Sequence, residues 1–307
     1  MGKKRRIIIV GLPLFAKRLA EALKPRMESW NVIHLDTYTS RKDQLKGLFL
    51  IPKADVIYSI NGTLSKSRVF DIALKNNVNC IMHWVGTDVL KSTEAYQSGI
   101  YKEDYLDKVN HFCEVNWIQD ELKQIEIDAR IVNFASFDRS YALTAPDSNR
   151  LRILSYMPEN RSEFYGLPKV IDLAKNFPEI DFTIVGATAK KYQPLPENLE
   201  ALGWVDDMDF QFDNCHATIR VPQHDGLSNF VLESLARGKQ VLYNHPYPNC
   251  IYCSGQDELE NALTEMNADF KKGKYEFNQK GKLFIEKEFN SDYVFSKLIN
   301  EIHSIIE

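Results

Sequence analysis

Short apolar runs alternate with amphipathic stretches along most of the chain. Ile7-Ile8-Ile9-Val10 is β-branched throughout and stops at Gly11, as a buried strand does. Residues 15–23 then carry apolar side chains at helical spacing. The same reading predicts strands at 31–35, 56–59, 79–84, 117–118 and 129–132, with a helix at 69–76. The alternation breaks at Ala145-Pro146-Asp147-Ser148-Asn149-Arg150, a turn-rich linker.

A second cycle begins after it. Strands are predicted at 151–156, 182–186, 199–204, 217–221 and 240–243. Helices are predicted at 167–176, 229–237 and 257–267, with a helical turn at 208–214 and two closing helices at 277–288 and 292–306. Strands alternating with helices make parallel sheets with crossover connections, so the fold class is α/β, as two doubly wound, Rossmann-like sets. The expected domains are 1–145 and 150–307, facing across a cleft that would hold a ligand.

Composition narrows the function classes. The 307 residues suit two domains, and 44% apolar with 26% charged residues allow a core in each. A net charge of −4 gives no general field for nucleic acid, so no nucleic-acid partner is expected. Lys3-Lys4-Arg5-Arg6 before residues 7–10 could imitate a signal peptide, but the apolar run is too short, and Pro13 and Lys17 interrupt its continuation. The expectation is a cytoplasmic protein; peripheral contact of these cations with the inner face of a membrane stays open. The five cysteines, Cys80, Cys113, Cys215, Cys250 and Cys253, are odd in number and scattered, which fits reduced thiols. Cys250-x-x-Cys253 has no second pair to complete a zinc site, and no metal is expected.

The most informative segment comes after the strand at 217–221. It reads His224-Asp225-Gly226-Leu227-Ser228-Asn229 and enters a helix that carries Glu233. Gly226 permits an open backbone, and Ser228 or Asn229 can cap the helix. The amides of Gly226, Leu227, Ser228 and Asn229 suit an anion such as a diphosphate. Asp225 and Glu233 can each accept two hydrogen bonds from a diol, Asp225 from a sugar and Glu233 from a ribose. A plain capped helix with an outward Glu would look the same. Two further stretches end strands: His83-Trp84-Val85-Gly86-Thr87-Asp88, and Tyr156 to Gly166, where Arg161 is the best cation for a phosphate. Gly11 has no G-x-G-x-x-G around it, and neither a Walker loop nor G-x-S-x-G occurs. Asp207-Met208-Asp209 could bind a metal but reads better as helix capping.

Asp225 and Glu233 stand eight positions apart. This resembles the E-x7-E motif of retaining GT-B glycosyltransferases, in particular glycosyltransferase family four, with Asp225 for the first Glu. The resemblance covers residues 151–245 well and the first half loosely. It implies the GT-B fold, with C-terminal helices closing back toward the first domain. It further implies that Asp225 serves the donor sugar, that His83 touches the sugar or the acceptor, and that Asp88 orients acceptor hydroxyls. Arg161 would hold the diphosphate, Val205 would lie by the base, and Gly11 would contact acceptor or phosphate. The family also has a Lys before a Gly where this chain has Tyr165-Gly166.

The resulting expectation is transfer of a sugar from a nucleotide diphosphate donor to a glycan or lipid-linked acceptor hydroxyl, with retention and without a metal. No resident cofactor is expected, since the nucleotide sugar is a substrate. Two alternatives stay open: a non-catalytic nucleotide-sugar-binding or scaffold subunit of a glycan assembly complex, and a nucleotide-sugar epimerase.

Overall fold

A computed structural model describes residues 4–306. Its strands form two parallel six-stranded sheets. The first holds β1 (Arg5–Gly11), β2 (Trp30–His34), β3 (Val56–Ile60), β4 (Asn79–Trp84), β5 (Asn110–Cys113) and β6 (Ala129–Ile131). The second holds β7 (Arg152–Tyr156), β8 (Asp181–Val185), β9 (Leu199–Gly203), β10 (Ala217–Arg220), β11 (Gln240–Tyr243) and β12 (Ile251–Tyr252). Each sheet is wound with helices, as the alternating pattern requires.

By contact the chain forms two units. One gathers the chain through Ser136, the short segment Asp225–Leu227 and the stretch from Ser291; the other holds Phe137–His224 and Ser228–Asn290. The helix Ser291–Ser304 inserts Val294, Phe295, Leu298 and Ile302 into the core of the first unit, beside Ile7, Ile9 and Leu19. Their spacing is one face of a helix, and burying four such side chains contributes on the order of 6–12 kcal/mol before entropy.

Strand order decides where each sheet can receive a ligand. In the second sheet the order is β12-β11-β10-β7-β8-β9. Counting from β7 as one, this is the 3-2-1-4-5-6 arrangement read from its other edge, and the winding reverses between β7 and β10. In the first sheet the order β2-β1-β3-β4-β5-β6 reverses between β1 and β3. Ligands bind beyond the carboxyl ends of strands at such reversals.

One predicted strand is corrected. Residues 117–118 lie in the helix Asn116–Lys123, and the local strand is β5 just before it. Ile118 and Leu122 are one turn apart and both buried, so helical spacing governs there. The helices Arg41–Leu50 and Thr87–Gln97 were not expected. Of the basic lead-in, Lys3 lies outside the described residues. Lys4 donates to Glu28 O at 2.6 Å, Arg5 stands over the Trp30 ring and Arg6 donates to Lys53 O at 3.3 Å. Among the described residues, no helix is long and apolar enough to cross a membrane.

Candidate active site

In the second unit, the reversal between β7 and β10 places two loops side by side. Gly166 has φ +92°, and a Cβ there would stand 2.7 Å from Val221 O. The Gln223 amide donates to Phe164 O at 2.8 Å. The loop after β7 is therefore bonded onto the chain leaving β10, and only glycine permits the approach. Two guanidiniums lie over the Tyr165 ring. Arg220 is 4.4 Å and Arg161 5.5 Å from its ring centroid, and Arg161 is 4.3 Å from the Phe164 ring. Arg161 is exposed, whereas Arg220 is buried and donates to Tyr156 O at 3.3 Å. Stacking on aromatic faces helps to hold both guanidiniums at the switch point.

The chain after β10 then enters the helix Asn229–Ala236. Ser228 occupies the N-cap with an extended backbone, and its hydroxyl makes no capping bond to the helix. Asn229 is exposed and Glu233 half-buried. Val205, just past β9, packs half-buried on the Leu154, Val185 and Phe230 cluster. Of the D-x-D pair, Asp207 caps its helix through the Phe210 amide at 2.9 Å, and Asp209 pairs with Arg139 at 2.6 Å and with Arg237. No group of three His, Cys, Asp or Glu side chains suited to a metal occurs among the described residues.

The first unit holds the remaining candidates. His83 closes β4 and is wholly buried. Its Nδ1 lies 2.5 Å from the Tyr58 hydroxyl, and its ring meets Phe112 and Phe134 edge to face. Burial pushes the imidazole down to about 3, against a smaller upward pull from the Val132 backbone. His83 thus has no exposed surface and packs the strand ends. Asp88 is buried as well. Its carboxylate accepts from the amides of Gly62, Gly86, Val85 and Val89 at 2.7–3.2 Å, tying the loop after β3 to the loop after β4. Burial raises its pKa, and those amide bonds oppose the rise. Gly11 has φ +105°, and a Cβ would stand 1.9 Å from Ile60 O, so this glycine lets β1 end against β3.

Asp225 and Gly226 belong by contact to this same unit. Trp117 Nε1 donates to Asp225 O at 2.8 Å. Gly226 and Gly86 face each other: a Cβ on Gly226 would stand 2.1 Å from Val85 O, and one on Gly86 3.0 Å from Gly226 N. The structure therefore joins Gly86, Asp88, Asp225 and Gly226 in one unit, while Arg161, Val205, Ser228, Asn229 and Glu233 lie in the other.

Glu114, one residue past β5, was not foreseen. It is buried, and Oε1 has no hydrogen-bond partner among the described residues. Burial is the main force pushing its carboxyl up to about 8; the charge of Asp88 adds to this and a bond from the Phe134 backbone opposes it. Nothing in the local sequence signals this, since the cause is burial by distant segments. The folded state holds the proton and the unfolded chain does not, so this group costs stability increasingly from pH ~4.5 to 8. Glu114→Gln is expected to raise the melting temperature at pH 8 by several degrees; an unchanged or lower midpoint refutes a buried neutral carboxyl.

No family model matches the sequence, and no curated protein matches it. Solved structures do match. HepE of Anabaena, in complex with UDP and glucose, is 12% identical with a TM-score of 0.72, over 98% of this chain and 100% of HepE. Sucrose-phosphate synthase from Thermosynechococcus elongatus is 10% identical with a TM-score of 0.67, over 98% and 99%. The pneumococcal O-GlcNAc transferase GtfA, in complex with UDP and GlcNAc, is 10% identical with a TM-score of 0.56, over 82% of this chain and 57% of GtfA. The likeness is one of fold, and with the two parallel sheets it gives this chain the GT-B fold.

Proposed function

We propose that the chain is a glycosyltransferase that moves a sugar from a nucleotide diphosphate donor to an acceptor hydroxyl. The observation that carries this reading is the switch point of the second sheet. There Arg161 and Arg220 lie over the Tyr165 ring, and the strand beside it leads into the helix bearing Glu233. A diphosphate is the ligand that two guanidiniums and the amides of a helix start recognise together. HepE, which shares this fold over its whole length, was solved with UDP-glucose.

In this reading the bond from the anomeric carbon to the donor phosphate breaks, and a bond from that carbon to the acceptor oxygen forms. The acceptor proton passes to the departing phosphate oxygen. The sugar takes on oxocarbenium character as charge builds on the diphosphate. Arg161, Arg220 and the amides near Ser228 and Asn229 meet that charge without a metal. Asp225 serves the donor sugar and Glu233 the ribose. The resemblance of this segment to the E-x7-E motif of retaining GT-B glycosyltransferases supports retention at the anomeric carbon. His83 and Asp88 act as positioning residues, holding Gly86 against Gly226.

Thermal stabilisation across UDP, GDP and ADP tests the donor site. A ligand at 100 times its Kd adds about 2.7 kcal/mol, and only the matching base is expected to do so at low concentration. Glu233→Ala is expected to weaken nucleotide binding at least tenfold, whereas Asp225→Ala lowers transfer and spares binding. Unchanged binding and turnover in both variants would refute these assignments. The Tyr165 substitution favours a second reading, a nucleotide-sugar-binding subunit without catalysis. Donor binding with neither transfer nor slow hydrolysis, across a panel of acceptors, would establish it.

A further inference from the structure

We propose that the acceptor is an anionic amphiphile, whose phosphate or carboxylate sits in a polar cavity of the first unit and whose apolar chain lies along the helix Arg41–Leu50. The proposal rests on reading that unit as the acceptor side. At the reversal between β1 and β3 lies a cavity of about 350 Å³, walled by Gly11, Asn61, Thr63, Thr87, Lys66 and Lys91 among others. Its volume falls at the small end of ligand pockets, about 300–1,000 Å³. Asp88 is the one carboxylate in its wall, and it is engaged by four backbone amides. Lys66 and Lys91 make no ion pair among the described residues. The cavity therefore presents hydroxyls and amides with a net positive charge, which selects an anion bearing hydroxyl groups.

A second space, of about 300 Å³, shares Thr37, Tyr38, Ser67 and Val69 with the first. Its other walls include Leu48, Ile51 and Ile72, with Arg68 at its side. It leads onto a helix that is turned outward: only Gly47 of Arg41–Leu50 is buried. Leu45, Leu48 and Phe49 stand at i, i+3 and i+4, with exposures of 62%, 39% and 71%. Such a stripe is not core, because it faces away from the sheet. Arg41, Lys42 and Lys46 share this helix, Lys46 paired with Asp43 at 3.4 Å, which leaves an excess of two cations. A polar cationic pocket opening into an apolar groove, with a basic helix at the exit, is complementary to a negative head on a hydrocarbon tail. A water-soluble glycan would leave the groove and the stripe unused.

The test is calorimetric titration of the full chain, with whichever of UDP, GDP and ADP stabilises it saturating throughout so that the donor site is filled. The probes are inorganic phosphate, octyl phosphate and octyl glucoside, each below its micelle concentration. Octyl phosphate is expected to bind at least tenfold tighter than either other probe. The double variant Lys66→Ala, Lys91→Ala should weaken both phosphates at least tenfold. Leu48→Ser with Phe49→Ser should bring octyl phosphate down to the level of inorganic phosphate and leave the latter unchanged. Equal affinity of octyl phosphate and inorganic phosphate, equal affinity of octyl glucoside, or lysine variants without effect would each overturn the proposal. Unaltered far-ultraviolet dichroism confirms that the variants fold. Nucleotide binding measured alone separates the two readings: binding of UDP, GDP or ADP without octyl phosphate binding fails only the acceptor inference, whereas binding of none of the three fails the donor site.

Discussion

Gly226→Ala is expected to lower transfer at least a hundredfold. The new Cβ would stand 2.1 Å from Val85 O and 2.7 Å from Val85 C, both backbone atoms. Backbone cannot step aside as a side chain can, so the segment Asp225–Leu227 has to lift from Val85 and Gly86. Gly86 cannot absorb the shift, because its own backbone sits at φ +140° and ψ −105°, a region closed to other residues. Overpacking against fixed atoms costs about 1–3 kcal/mol or more, and ~2.7 kcal/mol on the barrier is a hundredfold in rate. Gly273→Ala is the control. That glycine also has positive φ, +69°, but nothing lies within 4 Å of its Cβ position. It should cost about 1 kcal/mol of stability and leave transfer intact. Transfer within threefold of wild type in Gly226→Ala would show that the close approach is not needed.

The first unit is expected to be most stable near pH 6.5, with stability falling on both sides. His83 and His111 are buried, with pKa values pushed down to about 3 and about 4, mainly by burial. His111 is held neutral by two bonds: its Nδ1 accepts from Trp84 Nε1 at 3.1 Å, and its Nε2 lies 2.9 Å from Tyr105 O. Below pH 6.5 the unfolded chain takes up two protons that the folded unit refuses. Each costs about 1.4 kcal/mol per pH unit down to its folded value. Glu114, at about 8, works in the other sense, gaining about 1.4 kcal/mol per unit as pH falls from 8 to ~4.5. Asp88 adds in the direction of Glu114 at lower pH. The net loss is therefore about 1.4 kcal/mol per unit from pH 6.5 to ~4.5, and the same from 6.5 up to 8. In Glu114→Gln the alkaline limb should disappear and the acid limb become about twice as steep. Melting curves followed by tryptophan fluorescence, from pH 4.5 to 8, check both limbs. A flat profile would mean that these groups are solvated in the folded protein.

The sheets were largely legible because parallel strands are buried on both faces. Ile7 to Val10 is a continuous apolar run, Val56 to Ile60 is one but for Ser59, and neither has an exposed residue. β5 was missed because Asn110 and His111 open it with polar groups, and His111 is satisfied only by Trp84 and Tyr105 from elsewhere. The helix Arg41–Leu50 was missed because polar residues fill its first turn and apolar ones crowd its last, so no helical period is sustained over its length. At the site, the spacing of Asp225 and Glu233 and the Tyr in place of Lys could be read directly. That His83 lies among Tyr58, Phe112 and Phe134 could not, because three separate strand ends and loops assemble around it. Glu114 was invisible for the same reason, since a lone carboxylate carries no local mark of its surroundings.

The helix Ser291–Ser304 also bears on how the protein is made. Its four core side chains complete a sheet whose strands were synthesised first, and the whole of the second unit leaves the ribosome in between. Ile7, Ile9 and Leu19 therefore lack one wall of their core while the whole of the second unit is synthesised. Closure of the first unit joins Ile7 to Phe295, and such long-range contacts form slowly. A nascent chain thus exposes this apolar surface until that helix emerges, and during that interval it is open to aggregation.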